Sequence, residues 1–154
     1  MIPKKAKRII VFTLSCFLIL ATLSNFLRLN SRQKLKIGRK IIEVEVADTH
    51  EKKRQGLSDR ESLCSDCGLL FVYDKPGIYS FWMRRMHFDI DIIWIRNKKV
   101  MEITSGAKVP SQEEFEAPKT TYQSKEPVEM ILEVNSGWAE KNGIGPGTEI
   151  IFPY

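Results

Sequence analysis

The chain of 154 residues is poor in the side chains that do most catalytic and metal chemistry: it has three cysteines and two histidines. One cysteine, Cys16, lies inside an apolar run, so a disulfide-stapled miniprotein is excluded and at most one local bridge, Cys64 to Cys67, is left. His50 and His87 do not combine with that pair at any common zinc spacing, and no cofactor is expected. No Ser or Cys stands at a recognisable nucleophile elbow. Gly143 to Gly147 lacks the Lys-Ser/Thr of a phosphate loop and precedes a strand, so it is a turn. There is no internal repeat and, beyond residue 40, no long amphipathic helix.

Negative charge is missing from one end. Residues 1 to 40 hold ten of the 24 Lys and Arg and no Asp or Glu, which leaves 14 bases against 19 acids, a net −5, for the remainder. The overall +5 therefore belongs to the amino-terminal end. A net-acidic body is a poor match to a phosphate backbone, and no nucleic-acid partner is expected.

From Ile9 to Leu27 nineteen residues carry no charge, after Lys4, Lys5, Lys7 and Arg8. As a helix they reach about 28 Å, close to the ~30 Å hydrocarbon core. A cleaved signal peptide would end in small residues, and Thr22-Leu23-Ser24 is a weak match. A lipid-modified Cys16 would need Leu where Thr13 stands. The expectation is a basic flank over residues 1–8, a transmembrane signal-anchor over 9–28, a juxtamembrane linker over 29–39 and a β-rich domain over 40–154. Arg28, Arg32, Lys34, Lys36, Arg39 and Lys40 follow the span, so the charge rule is nearly tied. A first apolar segment usually acts as a signal-anchor, and long domains translocate largely regardless of charge. These two tendencies favour a single-pass membrane protein with an extracytoplasmic domain.

Within the domain, Lys40 to Ala47 alternates Ile42, Val44 and Val46 against Ile41, Glu43 and Glu45, a half-buried strand that Gly38-Arg39 turns back on Leu35 to Ile37. Asp48 and Thr49 cap a short polar helix, HEKKRQ, which Gly56 stops; Lys52, Lys53 and Arg54 form its solvated face. Gly68 to Tyr73 reads as a buried strand closed by a turn at Asp74 to Gly77, and Tyr79 to Met83 as the next strand. Ile90 to Arg96 pairs with Lys99 to Thr104 through Asn97-Lys98. Ser105 to Glu126 shows no period and reads as a functional or mobile loop. Val128 to Val134 alternates again, a short helix covers Trp138 to Lys141, and Thr148 to Phe152 is the last strand. About seven or eight short strands with one or two short helices predict a mainly β fold, a small antiparallel barrel or sandwich, behind an N-terminal transmembrane helix.

Arg54, Gly56-Leu57, Arg60, Ser62-Leu63, Gly68 to Phe71, Phe81-Trp82-Met83 and Asp91, followed by Leu132-Glu133-Val134, Gly137 and Gly147, form a pattern. It resembles the domain of unknown function 192 family over nearly all of residues 41 to 154. The resemblance implies a compact β-rich domain, often behind a signal sequence or membrane anchor, with no settled activity. This chain departs from the pattern at Ser58 and Leu69, where methionines are usual, at Arg85, where Asn is common, and at Asp89, where Pro is common.

Cys64-Ser65-Asp66-Cys67 admits three readings. A structural disulfide would pin the loop before the Gly68 strand; redox thiols would want a helix amino terminus; a metal site would need more ligands than stand nearby. Trp82 packs in the core or faces a groove and stacks on a ligand. Asp91, amid Ile90, Ile92 and Ile93, must find partners: Arg60 or Arg54 in an ion pair, or turn backbone in hydrogen bonds. His87 fits an exposed loop.

Trp82, Asp91 and Arg60 are thus the candidate ligand-binding residues, with Cys64 and Cys67 as a structural disulfide, and no catalytic or metal-binding residue is assigned. The expected function is a ligand- or partner-binding module whose partner is a small molecule, an envelope polymer or a protein, bound near Trp82 and the 105–126 loop, with residues 9–28 in the membrane. One alternative is an enzyme, a hydrolase or thiol-dependent factor, using Asp91, His87 and Cys64 or Cys67. Another is a purely structural interaction module.

Overall fold

Alternating β-branched residues and tight turns build the domain, and the computed structural model describes residues 32–153. Strands β1 (Gln33–Ile37) and β2 (Lys40–Ala47) form a hairpin. β1 thus lies in what the sequence suggested as linker. Helix α1 (His50–Gln55) starts at Thr49, whose side chain accepts from the Lys52 N–H, and stops at Gly56. β3 (Cys67–Gly77), β4 (Ser80–Trp82), β5 (Ile90–Arg96) and β6 (Lys99–Ala107) follow. A 3-10 turn (Gln112–Glu114), β7 (Thr121–Gln123), β8 (Val128–Asn135), helix α2 (Trp138–Lys141) and β9 (Ile150–Ile151) complete the order.

Seven strands form one sheet in the order β6-β5-β8-β3-β2-β1-β9, and β4 and β7 form a separate two-stranded ribbon. The mainly β fold with two short helices matches the expectation, but the sheet is not wholly antiparallel. β2 and β3 run parallel, with Glu43 opposite Cys67 and Ala47 opposite Phe71. A parallel neighbour requires a crossover rather than a tight turn, and residues 48–66, carrying α1, supply it.

The sheet curls until its ends meet. The Val100 N–H donates to Thr148 at 2.9 Å, Gly147 returns a bond to Val100 at 2.8 Å, and Ile150 donates to Lys98 at 2.8 Å, so the segment leading into β9 touches the start of β6. The result is a half-barrel. Inside it pack Leu35, Ile42, Val44, Leu70, Ile93 and Leu132, with Trp138 and Ala139 of α2 as the plug. Outside, a second core of Leu57, Leu69, Phe71, Phe81, Trp94 and Ile131 lies beneath the crossover segment and the ribbon. Burial of both faces explains why β5 carries apolar residues at nearly every position instead of alternating.

Three local expectations change. β3 runs on to Gly77 through a register shift after Val72 instead of turning at Asp74. Ser105 to Glu126 is not structureless: β6 extends to Ala107 and β7 pairs with β4. Its order comes from contacts remote in sequence. The Arg85 N–H donates to Phe115 at 2.9 Å, and the Arg84 and Arg85 guanidinium groups both hold the Glu116 carboxylate. Among the described residues no helix is long and apolar enough to cross a membrane. The expected span over 9–28 and its basic flank lie outside the described residues.

Asp91 is 1% exposed and faces the barrel interior's end, where its carboxylate finds backbone rather than an arginine. Oδ1 accepts from Gly106 at 2.9 Å and Gly137 at 3.1 Å, and Oδ2 accepts from Ala139 at 3.1 Å. Gly137 caps α2 at φ 77, so one side chain of β5 ties down the end of β6 and the amino terminus of the plug. Charge-assisted bonds of this kind contribute about 1.5–3 kcal/mol each. Asp91→Asn keeps the shape but turns one acceptor into a donor facing an N–H. We predict a loss of about 3 kcal/mol in urea unfolding at pH 7, and near-wild-type stability of that variant contradicts the role.

Candidate functional site

The outer face of the sheet carries one row of cross-strand neighbours in which Glu45 (β2) stands opposite Leu69 (β3), Leu69 opposite Glu133 (β8), and Glu133 opposite Ile92 (β5). Glu45 has a partner: Arg60 reaches it with two parallel bonds of 2.7 Å from Nη1 and Nη2. The bonded Arg60 guanidinium holds the Glu45 carboxyl below its ordinary range, and the pair raises Arg60 in turn.

Glu133 has no such arrangement. It is 5% exposed, and its Oε2 has no hydrogen-bond partner among the described residues. Burial pushes its pKa up to about 8, and the positive charge of Arg60 only partly offsets this. At neutral pH it is mostly a carboxylic acid, able both to donate and to accept.

A pocket of about 60 Å³ opens over this group between α1 and β4, walled by Phe71, Tyr73 and Phe81 with Trp82 and Arg54 at its edge. The wall is fixed by ring packing. Phe81 meets Phe71 edge-on at 4.8 Å and Trp94 at 5.6 Å, and Tyr73 stacks on Tyr79 at 3.6 Å. Burial carries the Tyr73 hydroxyl up to about 12, so it stays protonated. Lys53 lies 4.2 Å over the Tyr73 ring. Because successive strand residues point to opposite sides, an inward Phe81 forces Trp82 outward, where it is 52% exposed. Arg54 has no hydrogen-bond or ion-pair partner among the described residues.

A larger concavity, about 240 Å³, lies beside the 105–126 loop and includes Met83, Lys108, Glu114 and Tyr122. Its charged groups are occupied: Lys108 bonds Asp89 at 2.7 Å, and Glu114 pairs with Lys119 at 3.4 Å. The smaller pocket has the unpartnered carboxyl.

Of the candidate ligand-binding residues, Trp82 lies on the pocket. Arg60 stands next to Glu133 but is committed to Glu45, and Asp91 is tied to backbone inside the barrel. Cys64 and Cys67 lie at disulfide distance, with their Cα atoms 5.2 Å apart. Arg32 Nη1 lies 3.1 Å from the Cys67 sulfur, and the Asn135 amide holds the carbonyls of Leu63 and Cys64. His87 packs edge-on against Phe115 at 5.2 Å. Among the described residues no hydrogen bond or ion pair joins Asp91, His87 and the cysteines, and no group of His, Cys, Asp and Glu side chains is placed to hold a metal. Glu133 is no candidate from the sequence, because the alternation of Val128 to Val134 is that of a strand with one buried face. A lone acid two residues from Ile131 in a strand buried on both sides was the available signal.

The profile of the DUF192 family, described as an uncharacterised ACR, matches residues 33–152. No curated protein matches the chain. Two crystal structures share its fold. A Sinorhizobium meliloti 1021 protein, described as a candidate transcription regulator, is 24% identical with a TM-score of 0.71 over 79% of this chain and 93% of its own. A Novosphingobium aromaticivorans protein of unknown function is 26% identical, also with a TM-score of 0.71, over 79% of this chain and 85% of its own.

A carboxyl whose folded pKa lies near 8 against an ordinary 4.5 gives a pH slope of known sign. Between these values the folded state keeps a proton that the unfolded state releases, so stability falls as pH rises from 4.5 to 8 and levels off above. The paired carboxylates Glu45 and Asp89 act in a different window, losing their contribution as pH falls below their ordinary range. In urea unfolding at pH 5, 7 and 9, Glu133→Gln is expected to remove the decline above pH 5 and to exceed wild type at pH 9 by a few kcal/mol. Parallel curves for the two proteins contradict the burial of a protonated acid.

Proposed function

The chain belongs to the DUF192 family, whose activity is uncharacterised, and from that membership we propose that it is a ligand-binding module acting through the pocket between α1 and β4. The observation that carries this reading is a half-exposed tryptophan at the mouth of a pocket whose floor is an unpartnered, buried carboxyl. Both features cost stability in the free protein. An outward Trp82 leaves apolar area in water, and an unsatisfied buried polar group forfeits about 1–3 kcal/mol; a ligand that covers the one and bonds the other recovers both. Arg54 and Lys53 add polar donors around the rim.

The hydrolase or thiol-factor alternative has less support, because Asp91, His87 and the cysteines each have separate partners. A purely structural docking role would use the surface but has no need of a carboxyl at the bottom of a pocket. The domain is further proposed to stand outside the cytoplasm on a membrane anchor over residues 9–28, a reading supported by the apolar run and the basic residues before it.

Trp82 makes binding measurable, since Trp94 and Trp138, at 0% and 5% exposure, are shielded from solvent. Across a panel of saccharides, short peptides and small amines, a true ligand protects Trp82 from acrylamide quenching, and Trp82→Ala abolishes its binding while changing stability by less than about 1 kcal/mol. A panel with no protecting member, or binding unaffected by Trp82→Ala, overturns the module reading. In native membranes, the chain is expected to resist carbonate extraction and to be cut by protease added to the extracytoplasmic side. Release by carbonate or protection from that protease contradicts the topology.

A further inference from the structure

We propose that the group read by this site is a neutral hydroxyl of a saccharide, seated against the Glu133 carboxyl while the sugar ring lies on the indole of Trp82. The inference rests on the binding-module reading and names its ligand class.

Four observations on the same pocket point this way. The space, about 60 Å³, holds a few water-sized groups, so it admits a hydroxyl or hydroxymethyl. Glu133 lines that space, and its buried Oε2 has no hydrogen-bond partner among the described residues. A carboxylic acid is donor and acceptor at once, which complements a hydroxyl, itself donor and acceptor. Trp82 presents an open, flat apolar surface next to the opening. A pyranose has one such face of C–H groups and a hydroxyl periphery, which the Arg54 guanidinium and the Lys53 ammonium at the rim can bond.

Competing chemistries fit less well. A cationic ligand would pass Arg54 and Lys53 and would demand the ionised form of Glu133, which burial disfavours. A multiply charged anion would meet Arg54 and Lys53 at the rim but would have to bury its charge at the floor, where Glu133 offers a single donor. A peptide docking by strand addition needs a backbone edge, and β4 has only three residues to offer.

The test uses the full chain in detergent and a glycan panel of neutral, uronic-acid-bearing and amino-sugar oligosaccharides, with short peptides as the non-saccharide arm, read by protection of Trp82 from quenching. The expected result is protection by neutral saccharides. Glu133→Gln, which keeps a donor and an acceptor, should retain the affinity within about threefold, whereas Glu133→Leu should lose tenfold or more. Thermal melts accompany both variants. Because Leu removes an unsatisfied group from an apolar wall, it is expected to melt at or above the wild-type temperature, so lost binding cannot be lost folding.

Protection only by peptides, amino sugars or uronic acids overturns the inference, as does Glu133→Leu binding like wild type. So does a large loss in Glu133→Gln, which marks a cation. If some panel member binds through Trp82 but ignores Glu133, the module reading stands and the hydroxyl inference fails. If nothing protects Trp82, both fail.

Discussion

The carboxylate of Asp91 holds together parts of the structure that no apolar contact could register. A half-barrel has an open end, and here that end is closed by α2, four residues long and far too short to be stable on its own. Its amino-terminal N–H groups must find acceptors at the place where the sheet stops. One residue of β5 supplies both oxygens, and with the third bond it also fixes the turn at Gly106. Trp138 and Ala139 can then fill the interior at a defined depth. The indole N–H of Trp138 reaches Asp66 at 3.3 Å, so the same closure positions the loop between the two cysteines.

Against this stands the second buried carboxyl. Asp91 and Glu133 both lie in central strands with exposures of 1% and 5%, yet three backbone donors surround the first and none reaches the second. The difference is positional. Asp91 sits where the chain leaves the sheet and free N–H groups are plentiful, whereas Glu133 sits mid-strand, where every neighbouring N–H is spent in the ladder. A mid-strand acid can be satisfied only by side chains from the covering layer. The cation whose charge acts on it, Arg60, is already bonded twice to Glu45. The fold therefore leaves Glu133 beside a pocket instead of in an ion pair, at a cost in stability.

How legible this was in the sequence follows the same division. Strands whose signal is local were read to within a residue or two: Lys40 to Ala47, Ile90 to Arg96 and Val128 to Asn135, together with both helices and the Asn97-Lys98 turn, where φ values of 51° and 59° fit a tight hairpin. The parallel pair was not legible, because alternation is the same in either direction and only the length of the 48–66 crossover hints at it. The ordering of the 105–126 segment depends on Arg84, Arg85 and Glu116, some thirty positions apart, which no window of periodicity can link. The site was half visible. The sequence leaves Trp82 open between the core and a groove, and the alternation of β8 puts Glu133 on a solvent face; only the second buried layer covers it.

The floor of the pocket and the turn beyond its mouth are consequently held by different kinds of interaction. The floor is set by the core: Phe71, Phe81 and the sheet register leave Glu133 no freedom to move. β4, which carries Trp82, is anchored in that core through Phe81, whereas the turn that follows it at Arg84 and Arg85 is held by ion pairs. Arg85 sits at φ 54, a conformation that Asn tolerates more readily than Arg, and it is held by Asp59 on one side and Glu116 on the other. These pairs are exposed and screened by salt, so they are weaker than the core beneath them.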